Sequence, residues 1–441
     1  MPNSKPEQNQ KLDRRHFLKT SAVVGAAGYF VNPGSVSASN SPNERLNLAC
    51  VGATNRAGAN IAALKEQNIV AIADIDSNLL EKGAVLYPAA TKYRDFRVML
   101  EKESENIDAV VVGCPDHTHA PAAAMAMRMK KHCYCEKPLA HTVKECRVLA
   151  ELSLQNNLKT QMGTQIHAND NYRRVVEAVR GGLIGNVLEA HVWSNAQYSD
   201  GTFSPANKPA HVDWDLWLGP AVQRPYSKNV HPFEWRRFWD YGTGALGDFG
   251  CHFMDLTHWA LNLRHPTSVA STGAPLDPVT PPKWCIVKYK YPARGSMPAL
   301  DLTWYDGGKR PEILSTLKDK NGKPLDWRAG QLFIGDQGMI LSDYGRHVIL
   351  PEEKFVDVPR PERSIPKSIG HHNEWVDAIK NDRTTTCNFD YSGALSEAVM
   401  LGVVSFRSQQ AIQWDAENLK VKNDEGAQQL IHKEYRKGWS L

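Results

Sequence analysis

No apolar stretch in the 441 residues is long enough to cross a bilayer: the run Ala22 to Val31 is about half of the roughly 20 residues a spanning helix needs. Strong charge of either sign is also lacking. The formal net charge is +4, and the first 38 residues supply most of it through Lys5, Lys11, Arg14, Arg15 and Lys19 against Glu7 and Asp13. The body that follows is nearly neutral, which removes the basic surface that nucleic acid or an anionic membrane would attract. The eight cysteines form no zinc pattern. Cys133 and Cys135 are two apart, so on a strand they share a face, and no second Cys/His pair completes a tetrad. Cys50, Cys114 and Cys135 fall in or beside expected buried strands, where cysteine is a common core residue. The sequence therefore predicts neither a structural metal nor a disulfide framework. Internal repeats and low-complexity segments are absent. At 42% hydrophobic and 23% charged residues, the rest is ordinary globular protein with enough chain for two cores.

The N-terminus accounts for the charge. Asp13-Arg14-Arg15-His16-Phe17-Leu18-Lys19 precedes the apolar run, and Val36-Ser37-Ala38 offers small residues for cleavage. This resembles a twin-arginine export signal. It predicts a signal peptide over residues 1–38, a polar linker over 39–45, and a periplasmic or extracytoplasmic mature protein with no integral membrane segment.

Beyond the linker, compact apolar segments alternate with helical patterns. Strands are predicted at Leu46 to Val51, Ile69 to Ala73, Ile107 to Gly113, up to Cys135, and Leu158 to Gly163. Helices are predicted between them at about 56–67, 77–86, 121–131 and 142–156. Such alternation indicates a doubly wound parallel sheet of the α/β class, here over residues 46–165. After a helix at about 169–180, strands at Val187 to Val192, Ile286 to Tyr291, Ala299 to Trp304, Leu332 to Ile334 and Met339 to Leu341 lack long helical crossovers. Residues 166–441 are therefore expected to form an α+β domain with an open, largely antiparallel sheet. The helical stretch 371–410 is expected to pack back on the first domain.

A dinucleotide-binding turn would read Gly-x-Gly-x-x-Gly after the first strand. Here it reads Gly52-Ala53-Thr54-Asn55-Arg56-Ala57-Gly58, with Thr54 in place of the second glycine. Asp74 closes the second strand 22 residues after Gly52, the position of an acidic residue that accepts from a ribose 2′-OH. A carboxylate there repels a 2′-phosphate and favours NAD over NADP. Asp74 also suits a plain turn or helix cap.

Several pieces coincide: this turn, Ala73-Asp74-Ile75-Asp76, Cys114-Pro115-Asp116-His117-Thr118-His119, Glu136-Lys137-Pro138, and Gly244-Ala245-Leu246-Gly247-Asp248-Phe249-Gly250-Cys251-His252. Together they resemble the glucose–fructose oxidoreductase/inositol dehydrogenase (Gfo/Idh/MocA) family over about residues 45–410. The resemblance implies an N-terminal Rossmann domain, a nicotinamide cofactor, a sugar or polyol substrate and a cis Lys137–Pro138 bond. It places cofactor contacts on Gly52, Asn55, Arg56, Asp74, Pro115, His119, Glu136, Lys137 and Gln165. His252 is assigned as general base, Lys137 as its electrostatic partner, and Asp248 as an orienting carboxylate four residues before His252 on one helix face. Read without the resemblance, Asp248 serves as well as a cap and Lys137 as a solvated surface lysine.

His167, Arg236 and Trp193 are candidate substrate contacts. Trp193 is one of five tryptophans (with Trp214, Trp217, Trp235 and Trp239) within 47 residues, of which at most two are expected to touch a sugar. His371-His372 reads as a cap or packing site. The expected function is hydride transfer between NAD and a secondary hydroxyl. Two alternatives stand beside it: a glycoside-cleaving enzyme with recycled NAD, and a non-catalytic sugar-binding protein. A homo-oligomer through the open sheet is expected.

Overall fold

Short apolar segments between helical patterns have one good solution, a parallel sheet covered on both faces. The computed structural model describes residues 45–441; the signal peptide and residues 39–44 of the linker lie outside them. The first sheet contains β1 (Asn47–Val51), β2 (Asn68–Ala73), β3 (Thr91–Tyr93), β4 (Ala109–Val112), β5 (His132–Glu136) and β6 (Thr160–Gly163). Its order is β3-β2-β1-β4-β5-β6, with every pair parallel. The order reverses between β1 and β4, so their C-terminal ends, Gly52 and Gly113, open a crevice at the switch point. Two elements have no periodic signal in the sequence. β3 has only three residues, none of them buried, and the helix Phe96–Glu103 buries only Phe96, Met99 and Leu100.

The helix expected to begin at Pro121 begins at Asp116, capped by Pro115, and holds Pro121 inside it. Proline has no N–H for the carbonyl four residues earlier. That carbonyl belongs to His117, and it accepts instead from the Lys433 ammonium at 3.2 Å. A partner from distant sequence thus satisfies the acceptor that the proline leaves open.

The second sheet comprises β7 (Val187–Trp193), β8 (Ser268–Gly273), β9 (Cys285–Tyr291), β10 (Leu300–Tyr305), β11 (Gly330–Gly335), β12 (Met339–Ser342), β13 (His347–Leu350), β14 (Ile412–Asp415) and β15 (Lys420–Val421). Their order is β13-β12-β11-β7-β10-β9-β8-β14-β15, antiparallel except for β7 with β10. Alternation along β9 and β10 buries Val287, Tyr289, Leu302 and Trp304 on one side. On the other side Glu189, Lys288, Lys290 and Asp301 are exposed, with Lys290 and Asp301 paired at 3.2 Å. The face expected to meet another copy of the chain is therefore polar along β9 and β10, while Leu332 and Leu341 on the same side are covered by the chain's own Leu314, Leu317 and Trp327.

The helix Gly244–Leu261 packs on β7 and β11 and against the helices Asp170–Arg180 and Phe389–Ser408. Phe389–Ser408 also lies on Val143–Gln155 of the first sheet. From the helix His371–Lys380, Trp375 packs on Tyr134 with ring centroids 5.8 Å apart. His371 Nε2 lies 2.8 Å from the Met162 carbonyl, and His372 stacks on Tyr134. All eight cysteines are free, and seven are buried.

Trp193, a candidate sugar contact, is a core residue. It is fully buried among Leu314, Leu317, Trp327, Leu332 and Leu341, and its indole N–H donates to the Trp327 carbonyl at 3.0 Å. Alternation puts it on the same side of β7 as the exposed Glu189, and there the segment carrying Leu314, Leu317 and Trp327 covers it. Trp193→Ala is expected to lower the unfolding free energy by about 3–5 kcal/mol, measured by urea denaturation, while leaving ligand affinity unchanged.

Candidate active site

The crevice at the switch point widens into a cleft of 1760 Å³, counting solvent at its mouth. The part its walls enclose, about 480 Å³, falls within the roughly 300–1,000 Å³ of a small-molecule site. One wall is the first sheet's C-terminal edge, with Trp439 beside Phe96; the other comes from residues 198–252. Gly52 turns at φ +95°, where a side chain is strained, and a Cβ there would lie 2.8 Å from that of Ala57. The helix Asn55–Ala63 then starts with its first N–H groups toward the cleft, an anion-binding arrangement. Thr54 precedes it without using its hydroxyl as a cap, and Thr54 Oγ1 is buried without a partner. The threonine that replaces the expected glycine thus turns its hydroxyl inward and leaves only its backbone at this end of the cleft. Asn55 and Arg56 are exposed at the same end. Asp74 lines the cleft while its carboxylate accepts from the backbone N–H of Ala53 at 3.1 Å and Asp76 at 3.0 Å. Asp76, rather than Asp74, caps the next helix.

At the other end lies the reactive group of side chains. β5 delivers Glu136 and Lys137, and the Lys137–Pro138 peptide is cis. Glu136 is buried and accepts from Asn60 at 2.9 Å and Gln165 at 2.8 Å. A Cβ at Gly163 would meet its carboxylate at 2.6 Å, so β6 must end in glycine. The ring nitrogens of His119 lie 2.8 Å and 2.7 Å from the carbonyls of Pro138 and Cys114, joining the two loops that frame the lysine. Lys137 Nζ reaches across to the Asp248 carboxylate at 2.5 Å and the Asp248 carbonyl at 2.9 Å. Arg236 Nε approaches the same carboxylate at 3.4 Å, with its guanidinium over the rings of Trp235 and Phe233.

Asp248 orients Lys137, then, and not His252 as the i,i+4 spacing suggests. His252 lines the cleft, and its Nδ1 has no protein partner. Burial, aided by the Lys137 ammonium, pushes this imidazole down to about 3, so it is neutral near pH 7. Burial raises Asp248, but Lys137 and Arg236 outweigh it and hold the carboxyl at about 2.

The expected cofactor contacts Gly52, Asn55, Arg56, Asp74, Pro115, His119, Glu136 and Lys137 all line the cleft, as do Arg236 and the three proposed catalytic residues. Gln165 stands behind Glu136 as its donor. His167 lies outside the cleft: it is fully buried, 2.9 Å from both oxygens of Asp255 and stacked on Trp259 at 4.0 Å. A helical turn after β6 carries it into the core rather than toward the ligand. Asp255, also bonded by the Tyr391 hydroxyl, completes a buried trio with His167 and Cys387. Of the five clustered tryptophans, Trp217 and Trp235 reach the cleft.

Sequence reasoning assigned no role to Tyr198, Phe249 or Asp116. Tyr198 comes from a segment without periodicity, and its hydroxyl is raised by burial and by the nearby Asp248 carboxylate. Phe249 packs under Lys137 at 5.9 Å. Asp116 sits inside a quoted motif, directly after the helix-capping Pro115, which was the available signal. It is buried, Oδ2 has no partner, and burial with the Asp248 charge pushes it up to about 8 against the pull of Arg236 and Lys137.

An unfolded chain ionises this carboxyl near its ordinary 3.8, whereas the folded protein keeps it protonated to about 8. The contribution of this carboxyl to stability should therefore fall as pH rises from about 4 to 8 and then level off, against the opposite contribution of buried neutral histidines such as His252. Asp116→Asn is expected to remove that contribution and to raise the melting temperature at pH 8 by about 2–4 °C relative to wild type, read from thermal melts of both proteins across the range.

Three family models match the chain. One described as an oxidoreductase family with an NAD-binding Rossmann fold covers residues 20–164. A second, the oxidoreductase family's C-terminal alpha/beta domain, covers 173–302, and a twin-arginine translocation signal covers 11–28. Curated relatives include a glycosyl hydrolase family 109 protein of Shewanella pealeana, 28% identical over 211 residues, covering 40% of this chain and 45% of that protein. An inositol 2-dehydrogenase of Rubrobacter xylanophilus is 28% identical over 211 residues, covering 45% of this chain and 60% of that protein. The matches thus span about half the length of these relatives. Among solved structures, the WlbA dehydrogenase of Bordetella pertussis, in complex with NADH and UDP-GlcNAcA, superposes with a TM-score of 0.58 at 15% identity, covering 84% of this chain and 99% of that one. That likeness is one of fold. With the Rossmann sheet, the open mixed sheet and the matched models in agreement, the chain belongs to the Gfo/Idh/MocA oxidoreductase family.

Proposed function

We propose that this chain is an exported, NAD-dependent oxidoreductase acting on a secondary hydroxyl of a sugar or polyol. The observation that carries the proposal is the convergence, in one cleft, of a neutral imidazole, a paired ammonium and a glycine turn leading into a helix N-terminus. Gly52, Thr54, Asn55 and Arg56 would hold the pyrophosphate, and Asp74 the adenosine ribose. The negative charge of Asp74 supports NAD over NADP. When bound, the nicotinamide supplies acceptance and return of a hydride.

The chain's own groups handle the proton. His252, neutral and lining the cleft, accepts it from the substrate hydroxyl. Lys137 lies where its ammonium lowers the cost of alkoxide-like charge. Asp248 fixes the lysine, and Arg236 and Tyr198 are placed to bind neighbouring hydroxyls. The twin-arginine signal supports delivery to the periplasm or beyond. Homo-oligomer formation through the outer face of the second sheet belongs to the same reading.

A second reading has a specific observation in its favour: a relative is named as a glycosyl hydrolase. Export adds to it, since a retained cofactor suits a reaction that returns its hydride. In that version oxidation of one ring hydroxyl acidifies the adjacent C–H, elimination breaks the glycosidic bond, and the hydride goes back after water adds.

Mass spectrometry of nucleotide released from denatured protein should find NAD or NADH, and absorbance at the NADH band should report oxidation across a panel of aldoses and inositols. Lys137→Ala and His252→Ala are expected to keep the nucleotide and lose turnover by about 10²–10⁴-fold. Turnover of nitrophenyl glycosides without added NAD would select the second reading. A protein that binds no nucleotide would overturn both.

A further inference from the structure

We propose that residues 433–439 form a strap across the adenosine end of the cleft, with the Trp439 indole as a wall of the base-binding site. The proposal rests on the dinucleotide reading above.

Asp74 marks the adenosine ribose, and past it the cleft is lined by Leu79, Arg94, Phe96 and Trp439. Trp439 belongs to no helix or strand. Its ring lies 5.9 Å from that of Phe96, the Arg97 guanidinium lies 4.1 Å from it, and Arg97 Nη1 donates to the Gly438 carbonyl at 3.0 Å. These contacts fix one end of the segment to the first sheet's side of the cleft.

Three residues earlier the segment is fixed to the opposite side. Arg436 donates to the carbonyls of Gly219 at 3.1 Å and Asp215 at 2.6 Å, and to Gln223 Oε1 at 2.6 Å. These acceptors surround the short helix Trp214–Leu218, whose Leu216 and Trp217 line the cleft. Lys433 anchors the start, paired with the buried Glu145 at 3.2 Å. The strap therefore bridges the two walls.

A tie that only closed the fold would need no aromatic ring in the cleft. An indole is the side chain best suited to stack on a purine, whose face is apolar and polarisable. With the strap in place, adenosine leaves only after the Trp439 and Arg436 contacts break. Slow nucleotide release is the expected consequence.

The test loads full-length mature protein with NADH and follows its fluorescence after excess NAD⁺ is added. Trp439→Ala and Arg436→Ala are expected to release NADH at least about tenfold faster than wild type, and Trp439→Phe within about threefold, as loss and retention of a stacking ring predict. Melting curves of the nucleotide-free proteins, expected to coincide within about 2 °C, separate this from unfolding. Equal release rates in wild type, Trp439→Ala and Arg436→Ala would overturn the strap and leave the dinucleotide reading standing. Wild type that binds no NADH would overturn both.

Discussion

The ion pair between Lys137 and Asp248 is the contact on which the rest of the site depends. It joins the end of β5 to the helix Gly244–Leu261 across 111 positions of sequence. The side chains are only 11% and 7% exposed. Taking such charges from water costs several kcal/mol each and is offset only when the remaining donors and acceptors are satisfied. Here they are: the lysine also meets the Asp248 carbonyl, and the carboxylate also meets Arg236. Leaving one member alone in such a place costs about 3–5 kcal/mol. The pair therefore ties the cleft's two walls together beside His252.

Around that pair, environment assigns different protonation states to similar groups. Asp248 has two cations beside it and stays charged; Asp116, in the same cleft, has a buried oxygen with no partner and keeps its proton near neutrality. His252 is kept neutral by burial and by the same ammonium that Asp248 holds in place. Two carboxyls and an imidazole thus become an anion, an acid and a base at one pH, a separation set by surroundings rather than residue type.

Much of this was legible in the sequence where a single rule governs a stretch. β4 is four consecutive apolar residues, and only a strand covered on both faces accommodates them. Glu136-Lys137-Pro138 and the Asp248/His252 spacing pointed to side chains that the fold does bring to one cleft. Legibility failed where partners come from far away. Pro121 looked like a helix start because nothing local announces Lys433 as the substitute donor for His117. The spacing of Asp248 and His252 suggested a mutual contact, but a cation from β5 competes for the carboxylate and wins. Trp193 was misplaced because the residues that bury it, Leu314, Leu317 and Trp327, come from far along the chain and nothing local announces them. β3 was invisible because its three residues carry no pattern.

The bond from Lys433 to the carbonyl left open by Pro121 has a temporal side. It spans 316 positions, so a ribosome must deliver nearly the whole polypeptide before that early helix gains its substitute donor. Glu145, buried in the first half, likewise waits for Lys433 and Tyr435. Maturation of the nucleotide-facing half is thus a post-translational event. A translocation route that accepts finished, folded cargo, as the matched twin-arginine signal implies, lets that event come before export.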